Sequence, residues 1–286
     1  MSTTATTPRQ DSLGDPGGRL TRFLRFPLTW MLIGLVGVGV VAGLTAQAGG
    51  VVPVLGAALA VVVYRTVMHV VAGRRTPEIA RRRAATEALS GAAVGLAFVA
   101  VAATVVAVLG GYSFSRADAD VLAVVGPVLA VTVGGAVTEE LMFRGLALQA
   151  LERLLGSWVA LPVTASLFGL AHLLNPGATP WSALAVAIEA GGLLGAAFLW
   201  RRNLWFAVGL HLAWNGAVAL LGIPVSGHVT QGVLVADVTG PSLLTGGAFG
   251  IEGSVVTVAL SVLITVPMLL LARRRGTLVP TRRPRP

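Results

Sequence analysis

The chain has 286 residues, of which 55% are hydrophobic and only 12% charged, about half the charged share of an ordinary soluble domain. That balance excludes a soluble globular enzyme, and the formal charge of +9, carried on its basic side by arginine alone, gathers at the ends of apolar runs, where it orients helices rather than forming a nucleic-acid face. There is no cysteine, so disulfides, thiolate metal sites and a cysteine nucleophile are excluded too.

Residues 1–26 are polar, carry Arg19, Arg22 and Arg25 before the first apolar run, and read as a disordered cytoplasmic tail. The run from Pro27 to Ala48 ends in Ala46-Gln47-Ala48, which resembles a signal-peptidase site. Its apolar stretch exceeds the usual signal core of about 7–15 residues, which favours a retained helix. Further spans are predicted at 51–72, 88–109, 121–147, 158–174, 181–200, 203–222 and 253–272, each near the length that crosses a hydrocarbon core of about 30 Å.

Arginine placement then sets direction. Arg74, Arg75 and Arg81 to Arg83 share one loop, Arg201 and Arg202 another, and Arg273 to Arg275 open the basic tail 273–286, whereas 110–120, 175–180 and 223–252 hold only Arg116. Both termini are therefore expected to be cytoplasmic. The fold class is all-α: a polytopic membrane domain over 27–272, with about eight transmembrane helices enclosing a polar cavity. The arginine-only, alanine- and valine-rich composition suggests a bacterial plasma membrane. The basic loop 74–83 and the tail read as orientation and anionic-lipid signals, and 223–252 as an outward loop of unknown form.

Ionisable side chains inside a span are costly and mark pathways or buried pairs. Within the predicted spans stand Arg65, His69, Glu139, Glu140, Arg144, His172, Glu189 and His211, with Asn215 beside them. Glu140 and Arg144, four apart, share a helix face and can pair. Glu139, turned by about 100° from Glu140, has no basic partner at i+3 or i+4 and remains a carboxylate in a poorly solvated setting, suited to take a proton from water. Arg65 and His69 lie near a helix end and read as interfacial. Glu189 precedes Gly191 and Gly195, a small-residue spacing that permits close helix approach, and reads as structural or cavity-lining.

A hairpin turning near Gly156 places Glu140 and His172 at equal depth, each 16 residues from the turn. A second, turning at Arg201 and Arg202, brings in His211 and, four residues on, Asn215 on the same face. Two histidines, a carboxylate and a carboxamide can thus converge. That set suits hydrolysis, with water activated by the base and a histidine while N–H donors hold an oxyanion.

EELMFR (139–144), FGLAH (168–172) and HLAWN (211–215) together resemble the EExxxR, FxxxH and HxxxN motifs of the CPBP family, the CAAX-protease and bacteriocin-processing intramembrane proteases also called Abi. The resemblance covers a core of about 120–222. It implies an intramembrane endopeptidase with Glu139 as base, Glu140 and Arg144 in support, His172 holding the attacking water, and His211 with Asn215 at the oxyanion. The expected substrate is a membrane-associated peptide or protein. No cofactor is expected to be obligatory; if a metal such as zinc is used, Glu139, His172 and His211 are its candidate ligands. Two rival readings stand beside this one: a proton-coupled transporter, weakened by the lack of an inverted repeat, and a catalytically idle immunity or scaffold membrane protein.

Overall fold

The computed structural model describes residues 16–46 and 48–281, so the tail before Pro16, the Gln47 of the signal-like tripeptide, and Arg282, Arg283 and Arg285 lie outside the described residues. Helices dominate. A short α1 (Pro16–Leu24) stands where an unstructured tail is expected, and α2 follows at Pro27–Thr45. Next come α3 (Val52–Thr66), prolonged by a wider π-helical turn Val67–Val71, and α4 (Ala84–Val108). The fourth apolar run is longer than predicted. It comprises α5 (Val121–Glu140), a π-helical stretch Leu141–Leu148 and α6 (Gln149–Leu155), giving one helical rod, Val121–Leu155.

The remaining spans are α7 (Ser157–Ala171), α8 (Pro180–Val186) running through a π turn Ala187–Gly192 into α9 (Leu193–Arg201), and α10 (Leu204–Leu220). A one-turn α11 (Ser242–Thr245) precedes the last span, α12 (Val255–Arg274). Among the described residues, seven helical runs are long and apolar enough to cross a membrane, while α10, at 17 residues, is shorter. The chain is a multi-pass membrane protein. Side chains such as Leu32, Val36, Leu59, Val62, Leu263 and Val266 stand exposed on its outer helices, as a lipid-facing surface requires.

Local sequence explains the helix starts. Asp120, Asn203 and Ser254 each accept a hydrogen bond from the backbone N–H two residues on, satisfying a donor that the first turn leaves free. Thr179 and Ser182 form a reciprocal capping box at α8. Turns follow the same logic: Gly156, between α6 and α7, has φ +78°, and Arg202, closing α9, sits at φ +51°.

α10 is the central helix, packed against α4 and α5. The α4 crossing is possible only because glycines stand on both sides. A Cβ on Gly91 would lie 2.0 Å from the Phe206 carbonyl oxygen, and one on Gly209 2.0 Å from that of Ala88. Backbone meets backbone there, as small residues allow in membranes.

The two ends of the bundle differ. On the arginine-rich face, Arg202 grips Glu152 with both Nη atoms at 2.6 Å, Arg201 forks onto Glu87, and Arg74 meets Glu78 at 2.9 Å and Gln149 at 2.7 Å. The arginines read as orientation signals are thus also ties between helices. On the opposite face, β1 (Tyr112–Arg116) and β2 (Leu234–Val238) pair antiparallel, Tyr112 opposite Val238. The segment read as a formless outward loop is therefore folded: it supplies β2, α11 and two tight 3₁₀ turns ending at Gly253.

Candidate active site

The site begins where the fourth span changes its winding. Glu139 and Glu140 close α5, and the next residues adopt the π form, which widens the turn and loosens the regular ladder, a feature common at functional sites. Arg144 within that stretch donates from Nη1 to Glu140 Oε1 at 2.8 Å. Its Nη2 donates to the carbonyl oxygens of Ala190 and Gly191, at 2.6 and 3.3 Å. Those acceptors belong to the π turn Ala187–Gly192, so one guanidinium locks two irregular turns together. Phe168 covers it, with the Arg144 Cζ 4.8 Å from the ring centre, a cation–π contact.

His211 on α10 completes the buried part. Its Nδ1 lies 3.0 Å from Glu140 Oε1, and its Nε2 faces Glu139 Oε2 at 3.8 Å. Glu140 therefore bridges Arg144 and His211, and the ring nitrogen left free points at the other glutamate. Glu139 is 37% exposed at its side chain whereas Glu140 is fully buried. Of two adjacent carboxylates, one is enclosed by cations and donors, and the other reaches open space.

His172 stands where α7 ends. Its Nδ1 lies 2.8 Å from the Phe168 carbonyl oxygen; a carbonyl only accepts, so Nδ1 carries the proton and Nε2 of the neutral ring is an acceptor. The ring packs on Phe168 at 4.6 Å between centres, and Phe168 in turn meets His211 edge-on at 6.5 Å. Asn215, one turn beyond His211, is half-buried and has no protein hydrogen-bond partner among the described residues. The structure thus brings Glu140, Arg144 and His211 into direct polar contact and sets Glu139 3.8 Å from His211, while His172 joins through Phe168 and Asn215 through α10.

Glu139, His172 and His211 do not assemble as metal ligands: among the described residues no three His, Asp or Glu side chains stand close enough to share an ion. Glu189, fully buried on the π turn Ala187–Gly192, has neither oxygen hydrogen-bonded to a protein group. Arg65 and His69 lie far along α3, apart from this cluster.

Sequence reasoning missed Glu252. It lies in the turn Ile251–Gly253, buried, and accepts hydrogen bonds from the backbone N–H and hydroxyl of Ser226. Burial pushes its carboxyl above the ordinary range, opposed by Ser226 and by the nearby His172 and His211. Phe249, just before it, packs with Phe168 and Val186, and Trp181 Nε1 donates to the Gly253 carbonyl at 2.8 Å. The segment 223–253 therefore closes the site from the strand-bearing face. The available signal was a lone acid between glycines in an otherwise apolar stretch, too weak without the fold.

Residues 121–217 match the family model described as "Type II CAAX prenyl endopeptidase Rce1-like". No match was found among curated proteins or among solved structures. The matched residues begin at α5 and end within α10, so they hold all three motifs and every side chain that meets at Glu140. Over this segment, about a third of its length, the chain is similar to the type II CAAX prenyl endopeptidases.

Proposed function

We propose that the chain cleaves a peptide bond of a membrane-associated protein or peptide by water that Glu139 activates. The observation that carries the reading is the pairing of the two glutamates with the two nitrogens of His211: Nδ1 to buried Glu140, Nε2 toward exposed Glu139. A gap of 3.8 Å is too long for a direct hydrogen bond, but a single water can contact both groups.

In this scheme Glu139 takes a proton from that water as its oxygen attacks the scissile carbonyl carbon. The neutral His172, accepting at Nε2, orients the water's other hydrogen. The carbonyl π electrons move onto oxygen, and the oxyanion accepts hydrogen bonds from the Asn215 amide and from His211 Nε2–H when the ring carries both protons. Glu139 then returns its proton to the amide nitrogen, the C–N bond breaks, and acid and amine leave. Glu140 and Arg144 fix His211 and touch no reacting atom. The scheme is written with the chain's own side chains, and the chelator arm of the test below decides whether a metal takes part.

The substrate reaches the cluster through the open side of Glu139. With the arginine-rich face cytoplasmic, as arginine bias favours, both described chain ends lie on the cytoplasmic side of a bacterial plasma membrane. The test compares purified wild type with Glu139→Gln on a library of membrane peptides, read by mass spectrometry with and without chelator. Cleavage by wild type alone, at a rate that drops at least ~100-fold in the variant, is the expected result. Cleavage surviving in a folded Glu139→Gln protein would move the base elsewhere, and loss on chelation would return a metal to the mechanism.

A further inference from the structure

The arginine-rich face holds a second site, independent of the peptidase reading. A groove of about 690 Å³ opens between the end of α3 and the loop to α4, with Arg65, His69, Arg75 and Arg81 on its walls. Arg74 also lines it, but its guanidinium is engaged by Glu78 and Gln149. Arg65, Arg75 and Arg81 form no ion pair among the described residues. A further cation borders them: Gly73 has φ +64°, and a Cβ there would stand 2.8 Å from Arg25 Nε, so Arg25 lies directly against the loop. Several guanidinium groups without carboxylates share one concave wall, an arrangement that repels itself until an anion enters.

The surface below the groove is apolar. Leu55, Leu59 and Val62 stand exposed at three- and four-residue spacing on α3, leading up to Arg65, and Leu20, Phe23 and Phe26 are exposed around α1. A free phosphate needs only the cations. A phospholipid needs cations at the membrane rim with an apolar track running down from them, and both are present here.

We propose that this groove binds the phosphate of an anionic phospholipid, whose acyl chains lie along the Leu55, Leu59 and Val62 face of α3. The test is native mass spectrometry of the full chain with phosphatidylglycerol, phosphatidylcholine, and the chain-free probes glycerol phosphate and inorganic phosphate. Wild type should retain phosphatidylglycerol over phosphatidylcholine, and the double variant Arg75→Gln/Arg81→Gln should bind it about 30-fold more weakly. Arg273→Gln/Arg274→Gln, which removes equal charge elsewhere on the same face, should bind like wild type, and circular dichroism should show all three proteins equally helical. Equal loss in both double variants would reduce the effect to general surface charge and overturn the site. Undiminished binding by Arg75→Gln/Arg81→Gln would overturn it too, as would competition by inorganic phosphate at the concentration at which the lipid binds.

Discussion

Arg144 is enclosed on every side and yet fully engaged: one Nη on Glu140, the other on two carbonyls of a different span, its flat face on Phe168. Arg144→Ala leaves the Glu140 carboxylate buried without its cation and frees two carbonyls, so it should cost about 3–5 kcal/mol. Lysine cannot reproduce a planar fork that reaches acceptors on two elements, and Arg144→Lys should recover only part of that loss. The pair variant Glu140→Gln/Arg144→Leu removes both charges and should unfold less readily than Arg144→Ala alone, while remaining inactive. Thermal melts in detergent check the order; Arg144→Ala as stable as wild type would break the argument. The i,i+4 pair was legible in the sequence because polar residues stood out against an apolar background. Which glutamate His211 engages was not legible, nor were the Ala190 and Gly191 acceptors. Those contacts join spans through π turns, and hydropathy carries no sign of a π turn.

At the scale of elements, catalytic geometry depends on how deeply α10 sits. The crossing with α4 rests on Gly91, Gly95 and Gly209, and a Cβ on Gly95 would lie 2.5 Å from the Leu210 carbonyl oxygen, one residue before His211. Gly91→Leu therefore has to push the two helices apart, carrying His211 away from Glu140. It should abolish cleavage and cost several kcal/mol, an overpacking penalty of about 1–3 kcal/mol being a lower bound where backbone is struck. Gly43 on α2 is exposed and a Cβ there meets nothing within 4 Å, so Gly43→Leu should melt like wild type. Equal effects from the two variants would show that glycine content, not this crossing, sets stability. The seven long apolar runs were readable from composition, since a helix buried in lipid needs only length and apolar residues. The β1–β2 ribbon was not, because Tyr112–Arg116 and Leu234–Val238 lie more than a hundred residues apart in chain order and neither has a strong strand pattern of its own.

The whole molecule places one site between two unlike closures. The arginine-rich end is held by ion pairs that cross between helices, such as Arg202 with Glu152, whereas the strand-bearing end is held by a folded segment whose buried acid is Glu252. An acid raised by burial folds more favourably protonated. Its contribution is complete below its unfolded value of about 4.3 and is lost as pH rises through the higher value of the folded protein, at up to about 1.4 kcal/mol per pH unit between the two. Glu252→Gln keeps an acceptor for Ser226 and cannot ionise. The variant should therefore match wild type at pH 4, gain on it in melting temperature as pH rises from about 4.3, and hold a constant lead once Glu252 is ionised. A lead independent of pH would mean that folding leaves the Glu252 carboxyl unshifted, and burial of that acid would then not govern how the segment 223–253 is held over the site.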